Sequence, residues 1–152
     1  MADFIIRPVT AADEPAWRAL WSAYCTFYHA DVPARATNAT WARILEPASA
    51  VHAVVALGER GTVLGFANYV VHPYTWSTKP ACYLEDLFVW PQARGHGTGR
   101  ALIEHLLALA RVEGWDRVYW MTREDNATAR RLYDTFAQRD EFVRYVVTLD
   151  RD

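Results

Sequence analysis

Apolar positions along the chain switch between a period of two and a period of three to four, and the order of the switches outlines a fold. Phe4 to Arg7 is a short apolar run stopped by Pro8, as an edge strand would be. Thr10 followed by Asp13 has the spacing of a helix N-cap and its acidic partner. A helix is expected there, with Trp17, Leu20, Trp21, Tyr24 and Tyr28 recurring on one face. Thr37 to Thr40 offers caps for a second short helix through Trp41, Ile44 and Leu45, closed by Pro47. Val51 to Leu57 and Val63 to Val71 read as the strands of a hairpin around Gly58–Thr62.

The second half of the chain carries the sharper signals. Cys82 to Val89 is an apolar and aromatic run between Pro80 and Pro91, which fits a buried strand. Leu102, Ile103, Leu106, Leu109 and Ala110 then repeat at helical spacing, with Gly114 as the stop. Val118 to Thr122 is a further strand, Asn126 caps a helix from Ala127 to Phe136, and Val143 to Leu149 makes a last strand. The expected fold is α/β: one domain over residues 1–152, with a mixed sheet of about six strands and about four helices.

Composition narrows the function classes. A chain of 152 residues that is 52% hydrophobic, with seven Trp and eight Tyr, has material for a sizeable core. A net charge of −2 and scattered arginines give no footprint for nucleic acid, which is not expected as a partner. No apolar run reaches the roughly 18 residues of a membrane span, and the first residues lack the apolar core of a signal peptide, so no membrane partner and a cytoplasmic location are expected. Cys25 and Cys82 share no ligand spacing and read as free thiols, and the histidines show no metal-binding pattern.

Arg94-Gly95-His96-Gly97-Thr98-Gly99 lies between the buried strand and the helix after it. Helix N-termini attract phosphate through unpaired N–H groups and the helix dipole, glycine lets the backbone approach, and Arg94 and Arg100 add charge. The spacing fails for a dinucleotide fingerprint, whose sixth position counted from Gly95 is Arg100. It fails also for a P-loop, since the single lysine is Lys79.

Arg94, Gly97 and Gly99 form Arg-x-x-Gly-x-Gly, and Asn126, Ala129, Leu132 and Tyr133 form a downstream N-x-x-A-x-x-L-Y element. Together they resemble the GNAT N-acetyltransferase superfamily across essentially the whole chain. Tyr83 to Val89 is similar to the fungal histone-and-polyamine or D-amino-acid acetyltransferases and to the spermidine/spermine N-acetyltransferases. The chain departs from the pattern at Thr98, usually a branched aliphatic, and at Phe136-Ala137-Gln138, where Gly-Phe is usual.

The resemblance implies a mostly antiparallel sheet with acetyl-CoA at the turn after strand 4. It implies cofactor contacts from Leu87, Phe88, Val89, Arg94, Gly95, His96, Gly97, Thr98, Gly99, Arg100, Asn126, Arg130 and Tyr133. It also implies that Tyr133 protonates the leaving sulfur, and that the protein is a homodimer or larger.

The chemistry sets its own demand. An alkyl amine near the lysine pKa of about 10.4 is protonated at neutral pH, and freeing its lone pair costs about 4–5 kcal/mol, so a base is required. Glu85, on the strand before the turn, is the favoured base, directly or through water, with Asp86 on the opposite strand face less favoured. N–H groups near Leu87 to Val89 would face the thioester oxygen if that strand is splayed or bulged. Tyr24, Tyr28, Asp31, Trp76 and Glu85 are the candidate acceptor contacts, aromatic or acidic as a cationic amine requires. The expected substrate is a small primary amine of polyamine or amino-acid type; a lysine on a protein partner and a non-catalytic acyl-CoA sensor are the alternatives.

Overall fold

The computed structural model describes residues 4–150, which divide after Met121 into two compact units. The larger unit holds a five-stranded sheet in the order β1-β2-β3-β4-β5: Ile5–Pro8, Val51–Leu57, Val63–His72, Ala81–Val89 and Arg117–Trp120. The first four strands form an antiparallel meander, and β5 returns parallel to β4. A parallel return needs a crossover, and it is supplied by the helix Thr98–Glu113.

Both faces of the sheet are covered, which explains the four consecutive buried residues Ala53–Ala56 of β2. Alternation sends Ala53 and Val55 to one face, where they cluster with Phe66, Phe88 and the helix residues Trp17, Leu20 and Trp41. Those three come from α1 (Glu14–Phe27) and α2 (Ala34–Leu45). Val54, Ala56 and Ala67 face the other way, where α3 (Thr98–Glu113) lies against all five strands through its buried Leu102, Ile103 and Leu106.

Two local features show how the sequence sets these elements. Asp13 accepts from the Thr10 N–H at 2.8 Å, as the cap spacing predicts, and also takes a two-point contact from Arg7, at 2.7 and 2.9 Å. The Arg7 guanidinium holds the Asp13 carboxyl down at about 2. Thr37 does not start α2, which begins three residues earlier behind Pro33. Its hydroxyl instead accepts from the Trp21 indole at 2.9 Å, tying α2 to α1.

The smaller unit contains α4, Ala127–Tyr133, with Asn126 as its cap: the Asn126 Oδ1 accepts from the Ala129 N–H at 3.4 Å. The helix stops at Tyr133 rather than Phe136, where the last turn tightens: the Thr135 and Phe136 N–H groups bond three residues back, to the Leu132 and Tyr133 carbonyls. The expected sixth strand is absent among the described residues. Residues 143–149 pair with no strand and leave Tyr145 and Val147 exposed. Among the described residues no helix is long and apolar enough to cross a membrane.

Candidate active site

The two halves of β4 differ in their neighbours. Ala81 to Leu84 pairs with β3 on one side and with β5 on the other, the β5 ladder ending at Leu84 opposite Trp120. From Glu85 to Val89 only β3 is a partner. The sheet therefore opens along this edge, and backbone groups that would have met β5 face outward.

At the start of the opening the ladder skips a residue: Asn68 opposes Asp86, and Tyr69 opposes Leu84. Glu85 is the extra residue of a β-bulge, and it is exposed. The bulge places Leu84 and Asp86 on opposite faces although they are two positions apart, a spacing that in a regular strand shares one face. Leu84 joins Tyr69 on the α3 face, and Asp86 joins Asn68 on the α1 face. The strand expected to be splayed or bulged is both.

Asp86 ends a chain of buried polar contacts that its sequence neighbourhood gave little reason to expect. The Trp17 indole donates to the Asn68 Oδ1 at 3.1 Å, and the Asn68 Nδ2 donates to the Asp86 carboxylate at 3.0 Å. Tyr24 donates to the same carboxylate. Burial pushes the Asp86 carboxyl up, and the two donors oppose that shift. Burial and the nearby Asp86 charge push the Tyr24 phenol up as well, so Tyr24 remains a neutral donor.

The predicted acceptor contacts separate into two sets. Tyr24 and Tyr28 lie together, ring centroids 4.9 Å apart, and Tyr24 reaches Phe66 and Phe88 edge-on. Asp31 is exposed beyond the end of α1, and Trp76 is 78% exposed, touching only the Tyr74 ring among the ring contacts of the β3–β4 loop.

The glycine turn has the conformation its composition predicts. Gly95 and Gly97 sit at φ +83 and +89, where a side chain is strained. The first bond within α3 runs from the Ala101 N–H to the Gly97 carbonyl, so the Thr98 and Gly99 N–H groups lead the helix, with no side chain capping them. Thr98 is buried, and its hydroxyl has no hydrogen-bond partner among the described residues. Gly95, His96 and Gly97 are exposed, and Gly99 and Arg100 half-buried.

Arg94 is held rather than loose. Its Nε donates to the Val89 carbonyl at 3.0 Å, and its guanidinium lies over the Phe27 and Phe88 rings at 5.4 and 5.2 Å. Left-handed glycines, leading N–H groups and a fixed arginine fit a pyrophosphate at this turn.

In the smaller unit Asn126 also donates to the Thr122 hydroxyl at 3.1 Å, and Arg130 donates to the Glu124 carbonyl at 2.7 Å. Tyr133 is half-buried at the end of α4.

A glycine turn into a helix N-terminus suits a phosphate-bearing cosubstrate, and likeness to known proteins gives the class as an acyltransferase. The particular family is equally plain: residues 15–137 match the acetyltransferase (GNAT) family, and the chain belongs to it. It is an N-acetyltransferase whose cosubstrate is acetyl-CoA.

The D-amino-acid N-acetyltransferase HPA3 of Saccharomyces cerevisiae is 33% identical over 142 residues, covering 93% of this chain and 88% of that protein. The thialysine N-epsilon-acetyltransferase of Caenorhabditis elegans is 34% identical over 87 residues, 57% of this chain and 52% of that one. The fold matches the aminoglycoside acetyltransferase AAC(6')-Iy, solved with a CoA bisubstrate analogue, at a TM-score of 0.79 and 22% identity, covering 99% of each chain. A ribosomal-protein-alanine N-acetyltransferase from Brucella melitensis biovar Abortus 2308 matches at 0.80 and 21%, covering 97% of this chain and 100% of that one.

Proposed function

We propose that the protein acetylates the primary amine of a small polar molecule, of amino-acid or polyamine type, at the open edge of β4. The observation that carries the reading is the bulge. It leaves Glu85 exposed at the point where the β5 ladder ends, while the neighbouring Asp86 takes a hydrogen bond from Tyr24, whose ring lies against Tyr28. The relatives that act on a D-amino acid and on thialysine support this substrate class.

Acetyl-CoA supplies the thioester carbonyl when bound. Gly95, Gly97, Thr98 and Gly99 would hold its pyrophosphate at the α3 N-terminus, with Arg94, His96 and Arg100 beside them and Asn126 and Arg130 as further contacts. Glu85 takes a proton from the ammonium, directly or through one water, which frees the lone pair for attack. Along Leu87, Phe88 and Val89, the N–H groups that point away from β3 would face the thioester carbonyl oxygen. Tyr133, a neutral hydroxyl donor, supplies the proton for the departing sulfur.

The reading extends to assembly: we take the protein to act as a homodimer or a larger homo-oligomer. Support comes from the exposed apolar run holding Phe142, Val143, Tyr145, Val147 and Leu149, a patch that monomers rarely leave to water.

The test is release of free CoA thiol over a panel of small amines, with Tyr133→Phe alongside. Amine-dependent release by wild type and a fall in turnover of roughly 10²-fold in the variant, CoA affinity kept, are expected. Absence of amine-dependent release across the panel removes the substrate reading; an unchanged variant removes Tyr133 as the acid.

A further inference from the structure

Beyond the open edge of β4 lies a pair of residues that the acetyl-transfer reading leaves unused. Tyr119 of β5 opposes Tyr83 of β4, two residues before Glu85, and their rings stack at 4.8 Å. The Tyr119 hydroxyl lies 2.7 Å from Nε2 of His72, and Nδ1 of His72 lies 2.7 Å from the Pro73 carbonyl oxygen.

The second contact fixes the first. A carbonyl oxygen only accepts, so Nδ1 carries the proton, and in the neutral ring Nε2 is the acceptor. The Tyr119 O–H therefore donates to His72, and the lone pairs of its oxygen are left to receive. Glu85, Cys82 and Arg117 are the charged or titratable groups that act on Tyr119, Glu85 the strongest of them. Burial and the Glu85 charge push the phenol up, so Tyr119 is held neutral: it can pass a proton on but not store a negative charge. His72 also lines a hollow of about 300 Å³ formed by the β3–β4 loop, with Tyr74, Ser77 and Lys79 on its wall.

We propose that Tyr119 and His72 carry the acceptor amine's proton from Glu85 to solvent. This rests on the N-acetyltransferase reading of the β4 edge. The ammonium loses one proton to the Glu85 carboxylate, and the Glu85 carboxyl passes it through one water to the Tyr119 oxygen while the Tyr119 hydroxyl proton moves to Nε2 of His72. The amine is left neutral, Glu85 and Tyr119 return to their starting forms, and His72 becomes an imidazolium that releases one ring proton to water in the hollow. Such a path matters once acceptor and cosubstrate together shut water away from Glu85. Tyr119 is a relay beside the substrate, and His72 is a positioning residue that acts through it.

The experiment measures amine-dependent CoA release by wild type, Tyr119→Phe, His72→Gln and His72→Ala near neutral pH. One acceptor is a primary alkyl amine, almost wholly protonated, and the other is trifluoroethylamine, largely neutral. With the alkyl amine kcat/KM is expected to fall about 10-fold to 10²-fold in each variant. With trifluoroethylamine, whose lone pair is already free and which needs no ammonium proton removed before attack, it stays within about 2-fold of wild type. Added imidazole restores part of the rate of His72→Ala toward the alkyl amine, a readout that a folding defect would not give.

Equal losses with both amines, or an alkyl-amine rate unchanged in Tyr119→Phe and His72→Gln, overturn the relay while leaving the acetyltransferase reading in place. A wild type silent with every amine overturns that reading and the relay with it.

Discussion

The first half of β4, Ala81 to Leu84, has a strand on either side; the second half, Glu85 to Val89, has one on one side only. The second half opens on two acids, Glu85 and Asp86, where the first has no charge, but the rest of both is apolar or aromatic. What separates them is one inserted residue and the early end of β5. The first half is structural: Ala81, Cys82 and Leu84 are buried, and burial lifts the Cys82 thiol to about 12, which keeps it unreactive at neutral pH. The second half exchanges one ladder for an accessible edge, and the proposed chemistry occupies that edge.

Deleting Glu85 cuts this comparison most sharply. Leu84 and Asp86 become consecutive and keep their opposite faces, so the β3–β4 ladder becomes regular. Turnover is expected to fall by about 10³-fold or more while urea unfolding shifts by less than about 1 kcal/mol. A large loss of stability instead would mean that the bulge is needed for folding.

Asn68→Ala breaks the polar chain behind the open half. It strips the Trp17 indole and the Asp86 carboxylate of a partner, a loss of about 2–3 kcal/mol in denaturant titration at neutral pH. Without the Asn68 donor the folded Asp86 pKa rises further above its unfolded value. The folded state then binds the proton more tightly, so the loss shrinks as pH falls through the folded Asp86 pKa values, which lie above the unfolded 3.8.

Away from the edge, Asp13→Asn serves as the control. Asp13 is depressed to about 2 in the fold, so its contribution is present above the unfolded value of 3.8 and is lost as pH falls toward 2. The variant is expected to lose about 1–2 kcal/mol at pH 7 and to show a flatter acid limb in thermal melts, with turnover unchanged.

The smallest effect belongs to Thr98→Val. Removing a buried hydroxyl without a partner is expected to raise the stability of the ligand-free protein by about 1 kcal/mol, as a rise in melting temperature.

The sequence made the helices, the individual strands, the β2–β3 hairpin and the glycine turn legible, because each rests on local spacing: the Trp17–Leu20 face, the Thr10–Asp13 cap, Gly97 before α3 and Gly114 after it. The bulge was not legible. One extra residue in Leu84-Glu85-Asp86 changes neither composition nor hydrophobic pattern, and only the register against Asn68 and Tyr69 reveals it. Thr37 misled for a related reason, since a threonine that accepts from Trp21 looks the same in sequence as one that caps a helix. Val143 to Leu149 has strand propensity, but that propensity reflects packing on neighbouring strands, and this segment has none. His72 and Tyr119, 47 residues apart, meet only once β3, β4 and β5 are laid side by side.

The central claim is that acetyl transfer takes place at the half of β4 that β5 leaves open. The most direct measurement is CoA thiol release with the best amine of a panel, by wild type and by the Glu85 deletion, each shown to be folded by its unfolding curve. Amine-dependent release by wild type and a folded, silent deletion are the predicted result; a folded deletion that turns over at the wild-type rate would contradict the account.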